Sequence, residues 1–203
     1  MNDLHKERSR RKCETSWDDG KKQDIRLADL LRQYEIPATF YIPNSTELSD
    51  NDIKGLSKEF EIGGHTVNHI PLTDLSKTDA NWEVKWNKKW LQDIIGRPVT
   101  SFCYPKGYYT ERDVEIVKGA GFKEARTVKR LNTKEPKNKF EIETTIHVYP
   151  NHEDQGDWLA KAKEIWNTEP EYFHLWGHSF ELDKYSLWEE LEDFLGYVKD
   201  TSR

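Results

Sequence analysis

The stretch TSWDDG, residues 15–20, closes a strand-like run with two adjacent carboxylates and a glycine. Side chains alternate faces along a strand, so Asp18 and Asp19 would point opposite ways if the strand simply continued. Asp-Gly is ordinary turn chemistry, and a polar cap on a strand end accounts for the stretch taken alone. The rest of the chain decides whether these acids end a strand or open a site.

Outward from this point, short β-rich runs alternate with longer helical patterns. CETSW (13–17) reads as a strand and IRLADLLRQY (25–34) as a helix, with Ile25, Leu27, Leu30, Leu31 and Tyr34 on one side. ATFYI (38–42), EIGG (61–64), SFCY (101–104), FKEARTV (122–128), EIETTIHVY (141–149) and YFHLW (172–176) read as further strands. Helical patterns lie between them, including a long one in which Trp82, Trp86 and Trp90 recur at i, i+4 and i+8 before Gly96. That Trp stripe is expected to face the core. No repeat or linker interrupts the alternation, so residues 1–203 are expected to form a single domain. Repeated strand–helix units predict an α/β fold with a parallel sheet, open or closed into a barrel. In either form a ligand site belongs at the carboxyl ends of the strands.

Composition narrows the class of function. The chain has 203 residues, 35% hydrophobic and 33% charged, and no apolar run of membrane-spanning length. A net charge of −6 opposes binding to a phosphate backbone, and the basic run KERSRRK (6–12) is expected to be a solvated arm. The opening residues have no apolar segment of the kind a secretory signal needs. Cys13 and Cys103 are too few for a disulfide framework and are expected to stay unpaired. These features predict a cytoplasmic protein without a nucleic-acid partner.

Four irregular stretches come after strands and therefore share one face: DDG, GGHTVNH, YPKG and GHSFE. In HTVNH (65–69) two imidazoles stand four residues apart, a spacing that on a helical turn lets both reach one metal ion. With Asp19 they supply two nitrogens and one oxygen, a three-ligand set that leaves a position for water. Asn68 and Thr66 would support them. Asp18 is then available as a base for that water, with Gly20 allowing the backbone to turn between the two acids. His178, at the end of the last strand, is placed to protonate a leaving group. His174, inside the same strand, is expected to be a packed core residue.

The motifs TSWDDG, GGHTVNH, FCYPKG and HLWGH, in this order and spacing, resemble the polysaccharide deacetylases, carbohydrate esterase family four. IPATFYIP, IIGRPVTSFCYPKG and KGAGFKEARTV extend the resemblance over residues 15–181. It implies an irregular, TIM-barrel-like (β/α) barrel of about seven parallel strands. It also implies metal-dependent hydrolysis of the acetamide of an N-acetylated sugar, with one divalent ion, most commonly zinc. Carried onto this chain, Asp18 is the base, Asp19, His65 and His69 bind the metal, and His178 is the acid. Lys106, in the Pro105–Gly107 loop, would donate its backbone N–H to the oxyanion. Tyr104, Pro105 and Trp176 are expected to touch substrate.

Two departures stand out. The Arg that this family often carries before the loop is Cys103 here, and Arg126 is expected to replace it, from a neighbouring strand. The family's later Asp-Trp motif has only Asp157–Trp158, at the start of a predicted helix, as a candidate. Two rival functions share the residues: a cyclic amide or imide hydrolase, and a sugar-binding domain without catalysis. A binding domain has no use for Asp18.

Overall fold

The computed structural model describes residues 12–202; most of the basic arm lies outside them. The chain runs β1 (Cys13–Asp18), α1 (Gln23–Tyr34), β2 (Ala38–Ile42), α2 (Asp50–Leu56), β3 (Glu61–Gly64), α3 (Lys77–Ile95), β4 (Ser101–Cys103), α4 (Glu111–Gly119) and β5 (Glu124–Arg126). It continues through β6 (Ile146–His147), a hairpin of β7 (Asn151–His152) and β8 (Gly156–Asp157), then α5 (Trp158–Asn167), β9 (Phe173–Gly177), α6 (Ser179–Lys184) and α7 (Trp188–Thr201). Seven strands form a curled parallel sheet in the order β5-β4-β3-β2-β1-β9-β6. Among the described residues, no helix is long and apolar enough to cross a membrane.

Strand alternation sorts the two faces of this sheet. Cys13 and Trp17 of β1, Phe40 and Ile42 of β2, Phe102 of β4 and Leu175 of β9 join the apolar core between sheet and helices. Their neighbours turn the other way, into an interior that is polar. There Ser16 Oγ meets His174 Nε2 at 2.7 Å and the Tyr41 hydroxyl meets Ser101 Oγ at 2.6 Å. Tyr41 can lie flat across the sheet because β3 offers it Gly63, where a Cβ would come within 2.3 Å of the ring.

The run 141–149, expected as one strand, is not one. Only Ile146 and His147 form β6. The chain before them is irregular because it bridges the two sheet edges. Ala125 N–H donates to Lys139 O at 2.7 Å and Thr127 N–H to Ile142 O at 2.8 Å on the β5 side. Thr145 N–H donates to His174 O at 2.9 Å and Val148 N–H to Trp176 O at 2.8 Å on the β9 side. This segment gives the barrel its irregularity and covers edges that would otherwise leave backbone groups unpaired.

The Trp stripe on α3 departs from expectation. Trp82 and Trp86 are 50% and 51% exposed and stack on each other with ring centroids 6.3 Å apart. Only Trp90 packs, partly buried, against the core. The buried face is Ala80, Glu83, Val84, Asn87 and Leu91. A spacing of i, i+3, i+4 fits either face, and the helix buries the one carrying two polar residues because both are needed beneath it. Ser76 caps its start, accepting from Asp79 N–H at 3.2 Å, and Gly96 ends it at φ 71°.

Thermal or urea unfolding checks which face is buried. Leu91→Ala should cost about 2–5 kcal/mol, the usual range for a buried Leu. Trp82→Ser and Trp86→Ser should each cost about 1 kcal/mol or less, the scale of one exposed aromatic pair.

Candidate active site

The site is built at the carboxyl ends of the strands. β1 delivers Asp18 on the interior face, and the chain then enters left-handed backbone, with Asp19 at φ 80° and Gly20 at φ 59°. Few residues but Gly hold that conformation cheaply. A Cβ on Gly20 would also lie 2.3 Å from Thr46 Oγ1, which donates to the Gly20 carbonyl at 2.6 Å. The turn breaks strand alternation, so both acids serve the same mouth. Asp19 Oδ1 lies 3.2 Å from His69 Nε2 and 3.6 Å from His65 Nε2.

The two histidines do not sit on a helical turn. Residues 65–69 form an irregular loop after β3, with Thr66 at φ 66° and His69 at φ 56°. This strained path brings the imidazoles to 4.7 Å between ring centroids. The buried polar residues of α3 hold it. Asn87 Oδ1 accepts from His65 N–H at 2.9 Å, while its amide donates to Ile42 O at 3.0 Å and Asn44 Oδ1 at 2.9 Å. Glu83 accepts from the Val67 and Asn68 N–H groups at 2.7 and 2.9 Å and from the Asn68 amide at 2.6 Å. Thr66, expected as a support, is buried, and its hydroxyl has no partner among the described residues.

His65 Nδ1 donates to the Cys103 carbonyl at 2.8 Å, which leaves Nε2 for the cavity. That is how a protein orients a metal-ligating imidazole. Asp19 Oδ1 is buried and makes no hydrogen bond among the described residues. One ligand atom each from Asp19, His65 and His69 lies within 4.8 Å of the others. Two imidazoles and a carboxylate, with an orphaned oxygen between them, fit a divalent cation.

Asp18 is paired elsewhere. Arg126 Nη2 donates to both of its carboxylate oxygens, and both residues are almost completely buried. Burial alone would push the Asp18 carboxyl up; the charges of Arg126 and His65 outweigh it and hold the acid below its ordinary value. Arg126 comes from β5, the strand next to that of Cys103, as expected from the sequence, but β4, β3 and β2 lie between β5 and β1. It reaches across the barrel interior. The register pairs Arg126 with Cys103, whose small side chain leaves room and donates its thiol to Asp18 Oδ2 at 3.6 Å. The guanidinium carbon lies 4.7 Å from the Trp176 ring centroid and 5.2 Å from that of Tyr41.

The cavity is about 280 Å³ and is lined in part by Asp18, His65, His69, Lys106, Trp176 and His178. Lys106 adopts φ 56° at the tip of its loop. Tyr104 and Pro105 do not line the cavity. Tyr104 is fully buried, stacks on Tyr109 at 4.6 Å and donates its hydroxyl to Phe140 O at 3.1 Å, so it supports the loop from below. Asp157 does not reach the site; it caps α5, accepting from Ala160 N–H at 2.8 Å.

Opposite the Asp19 cluster, His178 Nδ1 donates to Glu181 Oε2 at 2.8 Å. Burial alone would lower the His178 pKa, but this hydrogen bond and the charges of Asp18 and Asp19 raise it. Glu181 Oε2 also accepts from His147 Nε2 at 3.2 Å, and His147 Nδ1 lies 2.7 Å from His152 Nε2. Burial lowers the His147 pKa to about 4, so its neutral ring gives one N–H to Glu181 and accepts from His152. Sequence reasoning does not single out Glu181, His147, His152, Glu83 or Asn87. Only the two histidines of HVYPNH (147–152) offer a local signal.

Residues 5–125, more than half of the chain, match the model of a family described as polysaccharide deacetylase. A peptidoglycan-N-acetylglucosamine deacetylase of Bacillus cereus is 32% identical over 98 residues, 47% of this chain and 46% of that protein. The chain spans less than half the length of the curated relatives it matches. Among solved structures, a family 4 carbohydrate esterase from Streptomyces lividans, in complex with acetate, aligns over 93% of this chain and 89% of its own at TM-score 0.68 and 12% identity. The Xyl-CE4 domain of a multidomain xylanase from a Trinervitermes trinervoides hindgut metagenome aligns over 96% and 85% at TM-score 0.69 and 14% identity. These two show that the fold is shared.

The Asp18–Arg126 pair makes a measurable prediction. Arg126→Ala should destabilise the protein by about 3–5 kcal/mol in urea unfolding, since it strands a buried carboxylate. Adding Asp18→Asn should recover a large part of that loss, because no uncompensated charge is then left inside.

Proposed function

Because this chain belongs to the polysaccharide deacetylase family, we propose that it hydrolyses the acetamide of an N-acetylated saccharide, releasing acetate and an amino sugar. The observation that carries the reading is the division of two adjacent acids: Asp19 joins two imidazoles, while Asp18 faces the same cavity from a buried ion pair. In this reading Asp19, His65 and His69 hold one divalent ion, for which zinc suits the nitrogen-rich donors. Such an ion, when bound, supplies Lewis acidity toward water and the acetyl oxygen.

The remaining chemistry belongs to the chain. Asp18 accepts the proton of the attacking water as the C–O bond forms. Arg126 keeps that carboxylate ionised and aimed, and its planar guanidinium, with Nη2 on Asp18 and Nη1 on the Thr127 carbonyl, holds one geometry that a Lys would not. The Lys106 backbone N–H donates to the oxygen that gains charge. His178 gives its Nε2 proton to the sugar nitrogen as the C–N bond breaks, and Glu181 stabilises the imidazolium that donates it. Trp176 lines the cavity with its ring stacked on His147, so it shapes the wall beside the acid. The two cysteines are buried and free, which supports a reducing, cytoplasmic setting.

Metal-loaded protein offered a panel of N-acetylated sugars should release acetate; turnover only of cyclic imides would replace this reading. Asp18→Asn should keep its metal and lose roughly 10²–10⁴-fold in rate. Asp19→Asn, His65→Ala and His69→Ala should lose the metal itself in elemental analysis.

Glu181→Gln tests the acid through its pH profile. The carboxylate raises the His178 pKa, so removing its charge lowers it. The alkaline limb of kcat should move to lower pH, while the metal stays bound. His178→Ala should slow amide hydrolysis far more than that of an aryl ester, whose leaving group needs little protonation.

A further inference from the structure

The cavity wall opposite Asp19 repeats the donor logic of the first cluster. One ligand atom each from His147, His178 and Glu181 lies within 4.8 Å of the others. His147 Nε2 and His178 Nδ1 both address Glu181 Oε2, at 3.2 and 2.8 Å. Two imidazole nitrogens and a carboxylate form a zinc-type donor set. The outer support is present as well. His147 Nδ1 lies 2.7 Å from His152 Nε2, which can accept a proton shifted to that side of the ring, just as the Cys103 carbonyl accepts from His65 Nδ1. Trp176 stacks on the His147 ring at 3.9 Å between centroids and 10° between planes, fixing its orientation.

We infer that His147, Glu181 and His178 form a second divalent-metal site, which takes up a zinc-like ion when the metal is in excess and switches the enzyme off. Binding replaces the two N–H bonds on Glu181 with metal–ligand bonds. The proton on His178 Nδ1 leaves to solvent, and that on His147 Nε2 is replaced by one on Nδ1, shared with His152. His178 can then no longer form an imidazolium, so its Nε2 proton is not available to a leaving amine. This inhibitory consequence rests on the acid role of His178 in the proposed function; the binding site does not.

Equilibrium dialysis against Zn²⁺ with elemental analysis separates the two. Wild-type protein should bind two equivalents. His69→Ala should lose the first and keep the second, and His147→Leu should keep the first and lose the second, both folded by circular dichroism. His152→Ala should weaken the second ion by about 10–100-fold, as loss of an outer support does. Zinc anomalous diffraction on wild-type crystals soaked with excess metal should place the second ion between His147, Glu181 and His178, so the test does not depend on any variant folding. A single equivalent in wild type, or a second ion that persists in His147→Leu or lies elsewhere, overturns the site. Acetate release should rise with the first equivalent and fall at least tenfold with the second, and His147→Leu should not show that fall relative to its own activity at one equivalent. Full activity with both ions bound overturns the inhibitory role alone. If no substrate is turned over, the proposed function fails while the two-ion stoichiometry still decides the site.

Discussion

The buried pair of Asp18 and Arg126 is the constraint around which this barrel is organised. Taking a carboxylate and a guanidinium out of water costs several kcal/mol per ion, and only close geometry and further hydrogen bonds offset it. The two residues lie on strands separated by three others, so they meet only if the sheet curls enough to bring β5 opposite β1. The curl in turn needs its edges joined. The irregular segment after β5 bonds to both, and Thr127, held by it through Ile142 O, lends its own carbonyl to Arg126 Nη1 at 3.1 Å. Closure of the barrel and neutralisation of the buried Asp18 are therefore one structural problem with one solution. Cys103 is part of it, since a larger side chain beside Arg126 would stand in the path of the guanidinium.

The alternation of strands and helices was legible because each run carries a local period, and so were the stretches that end strands. The motif residues could be assembled from those stretches because a parallel sheet gathers its carboxyl ends on one face. Legibility stopped where a three-dimensional choice overrode a local one. The Trp spacing on α3 fits the core-facing pattern, yet Glu83 and Asn87 are the residues turned inward, to satisfy the backbone of the histidine loop. The helical turn inferred for HTVNH failed for a related reason: those polar anchors support left-handed backbone that the local sequence does not favour. Glu181 and His147 are 34 residues apart and meet only through the packing of β6 against β9 and the start of α6.

Hydrogen bonding separates His65 and His178, which each keep a nitrogen for the cavity, from His174, which keeps none. His174 spends both nitrogens on the chain, with Ser16 Oγ and the Tyr172 hydroxyl each at 2.7 Å. It is a packed strut, as its place inside a strand suggests. His65 and His178 each commit Nδ1 to a protein acceptor and keep Nε2 for the cavity. The difference is one acceptor per ring, and it is made by backbone register and by Glu181, not by the identity of the residue.

The same polar interior sets how the fold responds to acid. Burial lowers the His174 pKa from 6.5 to about 3 and that of His147 to about 4. Between those values and 6.5 the unfolded chain holds protons on these rings that the folded chain does not, so lowering pH draws the chain toward unfolding. The carboxylates act in the same direction at lower pH. Glu181 is held at about 2 against the burial that opposes it, by its bonds to His147 and His178, and Asp18 is held below its ordinary value by Arg126. Their contribution is complete above the unfolded carboxylate pKa and is lost as pH falls through the folded one. Imidazoles buried neutral and carboxylates buried charged thus give stability slopes of one sign. His178, whose pKa is raised, works the other way, its contribution being lost as pH rises.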